Sequence, residues 1–471
     1  MKVHWNSKGR ITLCLLLLAL CSMLFALCFI LPDKASSGPY TDSAHGSSSY
    51  GVKRSATGFP TDYSQGNCAH CHEQHASIGG DEPAPDTGDA VGPDKYCLLA
   101  NNFDTTVTVK PYAQDDNVCF YCHIVTGTYQ SSVFYNYTYS ITFGGNPDTT
   151  PNNIFDTFNS TSYHNLYDLF RFITGLSGSH SNFSNFPSDS NPCSGCHNIH
   201  IAKRSCGKPT GSYDDSKSAL SKPSDHNNLW GDGTGEKMSN YTTSYQAPYW
   251  YGSATYYEPY STNTTTDGSN LPDYVTFCID CHNSTNTIYS TTLARNLRTI
   301  DWDYEKHGKG DADDSLCGDA PYPSGASGLG KVLSCLDCHE PHGAPNVVLI
   351  RKEVNGGTLS GISTIAAPST ECIPASATGN KEIAYLCDRC HKDDKEINSS
   401  CQEDHWYIIH HDNTGCNSDR PYNPMGCGSC HASGSGMGCT SDRSAINCNC
   451  CHYHGSSRTD CDYSPTTRRT F

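Results

Sequence analysis

Eight segments of this 471-residue chain read Cys-x-x-Cys-His, and they constrain the fold more than any other feature. Their cysteines and histidines are Cys68, Cys71 and His72; Cys119, Cys122 and His123; Cys193, Cys196 and His197; and Cys278, Cys281 and His282. The later four comprise Cys335, Cys338 and His339; Cys387, Cys390 and His391; Cys427, Cys430 and His431; and Cys448, Cys451 and His452. Random placement of the chain's 28 Cys and 22 His would give far less than one such match. The pattern is the attachment signature of c-type haem.

The chemistry explains the spacing. Two thiols three positions apart project from one side of a short turn, so both can bond the vinyl groups of one porphyrin. The His that follows then lies under the macrocycle as the proximal iron ligand. Structural zinc would instead gather four ligands from paired Cys-x-x-Cys units, with no His needed after every second Cys. A thioredoxin-like dithiol would occur once, near a βαβ pattern. The reading is eight covalent haem c groups, each with iron.

Composition supports it from another direction. Of 26 Leu, nine lie between Leu13 and Leu31, which leaves 17 for the remaining 440 residues. Such a chain can hardly bury enough aliphatic surface to offset the entropy of ordering itself. Large, flat, apolar macrocycles can supply the missing core. Eight in residues 38–471 is one per roughly 54 residues. The expected fold is therefore mostly irregular, a multihaem cytochrome c with a haem-packed core, few short helices and very little sheet. Ser131–Thr150 and Ser239–Asn270 read as loops, with Tyr135, Tyr137 and Tyr139 alternating as in a short hairpin. His164–Leu176 is the best helix outside the motifs, with Leu166, Leu169, Phe170 and Ile173 on one face. The formal charge of −17 excludes a nucleic-acid partner, which would need a basic face.

Lys2, Lys8 and Arg10 precede an apolar run from Ile11 to Leu31 that Pro32 ends. This is the layout of an export signal, long enough to serve also as an anchor. Residues 1–37 are read as a signal peptide or membrane anchor, residues 38–395 as a six-haem core of three tandem two-haem units, and residues 396–471 as a Cys-rich two-haem extension. Export places the chain at the cell surface or outside it, where covalent haem and disulfides are both permitted.

The second axial ligand separates an electron carrier from an enzyme, because an iron held on both faces has no site for substrate. Thirteen His remain after the proximal eight and His4 are set aside, more than enough for eight irons. His75, His200 and His342 each follow a proximal His by three residues, in motifs one, three and five. Such a His cannot easily reach over its own macrocycle but can ligate the next iron. His164 and His307 stand at similar distances ahead of motifs three and five, and His454 follows motif eight. One or two ligands are expected from His405, His410 and His411. His45, His180 and His226 are isolated in polar loops and open to either role; His70, inside motif one, is a poor ligand. Nine further Cys lie outside the leader and the motifs. Five of them fall in the last 76 residues and suggest disulfides there.

The motif order resembles that of the extracellular multihaem cytochromes that polymerise into conductive filaments. The likeness rests on Cys-x-x-Cys-His-x-x-His in motifs one, three and five. It also rests on Cys68–Gly80, Cys193–Arg204, His307-Gly308 and Cys335–Gly343, and it spans roughly residues 60–395. It implies bis-His ligation throughout, one continuous chain of haems and a homopolymer in which His75 ligates the motif-five haem of a neighbouring subunit. Residues 396–471 depart from that pattern. The expected role is long-range extracellular electron transfer without catalysis, with other cytochromes or metal oxides as electron donors and acceptors. Two alternatives are an octahaem reductase of nitrogen or sulfur oxyanions and a monomeric periplasmic or surface shuttle.

Overall fold

The computed structural model describes residues 40–55, 63–72, 96–130, 151, 153–176, 183, 186–203, 218–237, 272–297, 299–302, 305, 333–354, 357–359, 361–362 and 386. Motifs one to five fall inside these stretches. The leader, motifs six to eight, His75, His180, His307, His405, His410, His411, His454 and the segments read as loops from Ser131 and Ser239 lie outside them.

Among the described residues the chain is mostly irregular, with few short helices and little sheet. The helices are α1 (Ile154–Phe158), α2 (Leu166–Ile173) and α3 (Tyr274–Cys278). Three antiparallel ribbons pair β1 (Ser162–Tyr163) with β4 (Gly343–Ala344), β2 (Tyr289–Ser290) with β3 (Arg295–Asn296), and β5 (Glu353–Val354) with β6 (Gly357–Thr358). Asparagine sets the helix starts. Asn153 accepts from the Asp156 N–H, and Asn165 accepts from the Tyr167 and Asp168 N–H groups. That cap starts α2 at Leu166 rather than His164 and leaves His164 in extended chain. Gly175, at φ +74°, follows the helix end. Leu166, Phe170 and Ile173 are buried as the helical spacing requires, and Phe172 joins them.

No single aliphatic core is present among the described residues. Several small clusters replace it: Phe103, Tyr112, Phe120, Phe158, Leu166 and Phe170 form one, Phe172, Ile173, Phe183 and Phe186 another, and Ile350, Val354, Leu359 and Ile362 an aliphatic third. The β1–β4 ribbon brings distant histidines together. Tyr163 pairs with Gly343, so the residues just outside the ribbon, His164 and His342, arrive at one place although far apart in sequence. Gly343 is required there, because a Cβ would sit 2.1 Å from the Thr157 carbonyl oxygen. Among the described residues no helix is long and apolar enough to cross a membrane.

Candidate metal centres

The five described motifs share one backbone turn. In each, the N–H of the second Cys donates to the first Cys carbonyl at 3.0–3.3 Å, and the His N–H donates to that same carbonyl at 2.9–3.0 Å. Four of the turns are capped by the residue just before them or one further back. Asn67 accepts from the Ala69 N–H, Asn117 from Cys119, Asn191 from Cys193 and Ser334 from Leu336. In the fourth motif, Cys278 ends α3, which Asp273 caps. Both thiols and the His therefore leave a rigid turn in the same way five times.

Each of the first four motif histidines faces a histidine from outside the motifs. His72 pairs with His200 at 6.3 Å between ring centres, His123 with His45 at 6.2 Å, His197 with His342 at 6.2 Å, and His282 with His164 at 6.0 Å. The ring planes are inclined at 14°, 85°, 18° and 32° respectively. Separations of about 6 Å also occur in ordinary ring contacts such as Tyr63 with His70; what distinguishes these four is that each joins a motif histidine to a second histidine. Metal–imidazole bonds of about 2 Å, plus roughly 1.1 Å from each nitrogen to its ring centre, put two imidazoles on opposite faces of one metal about 6.2 Å apart.

The outer nitrogens support this. Nδ1 of His72 bonds the Tyr96 carbonyl at 3.0 Å, His197 that of Ala219 at 2.7 Å, His45 that of Ile199 at 3.1 Å, and His164 that of Pro341. His339 bonds Val348 in the same manner at 3.0 Å. A carbonyl only accepts, so Nδ1 carries the proton and Nε2 keeps its lone pair, the tautomer a metal ligand needs. Burial drives His123 down to about 3 and His197 to about 4, and it lowers His45, His164 and His200. A metal ion between the two rings of a pair would use both free lone pairs. A haem iron fits, because the adjacent Cys pair supplies its attachment.

The competing chemistries fit less well. No group of three or more His, Cys, Asp or Glu is placed to hold a metal among the described residues, whereas structural zinc takes four ligands. Burial pushes the Cys71 thiol up to about 11 and those of Cys122 and Cys196 to about 12. A reactive dithiol needs the opposite shift within one pair; Cys193 is lowered, but by its hydrogen bond with Cys119 of another motif.

The trailing histidines reach further than the next site. His200 of motif three meets motif one, and His342 of motif five meets motif three. His45, which no repeat position singles out, meets motif two. His226 lies against Phe186, ring centres 4.7 Å apart, and His70 bonds the Ser64 carbonyl through Nε2 at 3.0 Å. The five sites run in sequence order. Burial and then the Cys71 thiol raise the Cys122 thiol, a hydrogen bond joins the Cys119 and Cys193 thiols, another joins those of Cys278 and Cys335, and burial and then Cys196 raise the Cys281 thiol. A brace recurs at alternate junctions: His45 bonds the carbonyl just before His200, and His164 bonds the carbonyl just before His342. No family model, curated protein or solved structure matches the chain.

Proposed function

We propose that this chain is an exported octahaem c-type cytochrome for long-range extracellular electron transfer, assembled as a homopolymer. The observation that carries the reading is the set of four His–His pairs at 6.0–6.3 Å, each joining a motif histidine to one from elsewhere. In this reading the sixteen motif cysteines hold eight haems and the eight motif histidines are proximal ligands. The second ligands of sites one to four are His200, His45, His342 and His164. For the later sites, His307, His405, His410 and His454 remain the candidates from sequence.

Haem supplies a one-electron centre, and its potential is tuned by ligation, hydrogen bonding and burial. The chain's residues do the rest. Imidazoles on both faces leave no position for substrate, which supports conduction rather than catalysis. The carbonyls of Tyr96, Ala219, Ile199 and Pro341 fix each ring's tautomer and orientation. The thiol contacts between successive motifs would hold neighbouring sites close together.

Intact mass should show eight haem additions, and the reduced protein should bind no carbon monoxide at neutral pH. Fewer additions would break the octahaem assignment, with motif eight first in doubt because Cys450 competes for the vinyl. Stoichiometric carbon monoxide at even one haem would favour a reductase.

A further inference from the structure

The junctions between successive sites are built differently, and the one between motifs two and three stands apart. Asn117 and Asn191 cap their own motifs, accepting from the Cys119 N–H at 3.0 Å and the Cys193 N–H at 2.9 Å. They also bond each other reciprocally. The Asn117 amide donates to the Asn191 oxygen at 3.4 Å, and the Asn191 amide donates to the Asn117 oxygen at 3.1 Å. Both are buried, at 0% and 5% exposure. Asn191 also donates to the Asn102 carbonyl at 2.7 Å, and the Asn117 amide lies 3.8 Å from the Cys193 sulfur.

A cap needs only the side-chain oxygen. Serine would serve, as Ser334 does at motif five. The buried NH2 groups answer a different requirement: each needs an acceptor, and each finds one across the junction. The comparison junction lacks such a tie. Between motifs four and five, Asp273 uses its oxygens on the Thr276 N–H and hydroxyl, and Ser334 uses its own on Leu336.

We propose that Asn117 and Asn191 form a positioning pair that ties the turns of motifs two and three together and so fixes the second and third electron-transfer sites relative to each other. This rests on the electron-transfer function proposed for the chain. The reciprocal amides make the two turns mirror each other's placement, so the first cysteines of both motifs meet at the junction. Attachment and axial ligation at each site are left to the turns and the histidine pairs. Electron flow between the two sites depends on the amides through distance and orientation alone.

The test is the full-length double variant Asn117→Ser/Asn191→Ser, which keeps a capping oxygen at both turns and removes both amide donors. Ser334→Ala serves as a control, removing a cap where no cross-tie exists. Intact mass and carbon monoxide binding of the unmodified protein first establish eight haems held on both faces; their failure would count against the functional reading and not against the amide pair. The double variant should retain eight haems and bind no carbon monoxide. It should lose part of the paired visible circular dichroism that closely coupled haems give, and its filaments or films should conduct less. Ser334→Ala should change neither property. Unchanged dichroism and conductance in the double variant would overturn the proposal. So would a loss of haem from it, since the pair would then build the sites instead of aligning them.

Discussion

Replacing His45, His164, His200 and His342 by alanine, one at a time, tests the pairing directly. Each replacement removes one imidazole of a pair and leaves its motif histidine in place. One haem per chain should become five-coordinate, so carbon monoxide binding should rise from none to one equivalent, about an eighth of the haem. The stability costs should differ. His45→Ala and His164→Ala also strip the Ile199 and Pro341 carbonyls of their partners. An unsatisfied buried carbonyl costs about 1–3 kcal/mol. His200 is exposed, and its removal should be milder. His70→Gln is the matched control. His70 is more buried than the paired rings, but its Nε2 bonds the Ser64 carbonyl and its Nδ1 accepts from the Arg54 N–H. It should open no site. If none of the four variants bound carbon monoxide, or if His70→Gln bound as much as they did, the 6 Å pairs would be ordinary aromatic contacts.

Acid should destabilise the fold in a defined window. The folded values of His123 and His197, near 3 and 4, lie below the ordinary imidazole value of 6.5. Their contribution is therefore present above about pH 6.5 and lost as pH falls toward those values. Where unfolding frees these imidazoles to protonate, stability falls with pH below about 6.5, and denaturant midpoints at pH 7 and pH 5 should show the loss; equal midpoints would refute it. Gly343→Ala should break the β1–β4 ribbon through the Thr157 clash and so separate His164 from His342. Carbon monoxide titration should then find two open haems, those of motifs three and four.

The features legible in the sequence arise from chemistry that is local in the chain. The Cys-x-x-Cys-His turn is made by five consecutive residues, so all five described motifs take one geometry. The face of α2 is equally legible, because Leu166, Phe170 and Ile173 recur at helical spacing. Partner choice is not. His45 carries no repeat position, and what brings it to His123 is a turn from Tyr40 to Gly51 docked on Ile199 and Ala202. His164 and His342 meet through a ribbon of two residues per strand, too short to leave an alternating pattern. The caps do carry a local signal: Asn67, Asn117, Asn191 and Ser334 stand one or two residues ahead of their motifs, where capping residues belong.

The trailing histidines obey a rule that bears on assembly. His200, in motif three, faces the site of motif one, and His342, in motif five, faces that of motif three. The reach is two motifs back each time. His75 holds the same place in motif one, and two motifs back from it the chain has no motif at all. A second copy could supply one, as the proposed homopolymer requires. A metal–ligand bond would then form part of each subunit contact, and assembly would weaken as the free imidazole protonates below about pH 6.5. His75→Ala should abolish long filaments and leave one haem per chain open to carbon monoxide. His200→Ala and His342→Ala should open a haem inside the subunit and mainly impair folding. Filaments of normal length from His75→Ala protein, seen in negative stain, would refute the intersubunit role and return His75 to its own chain.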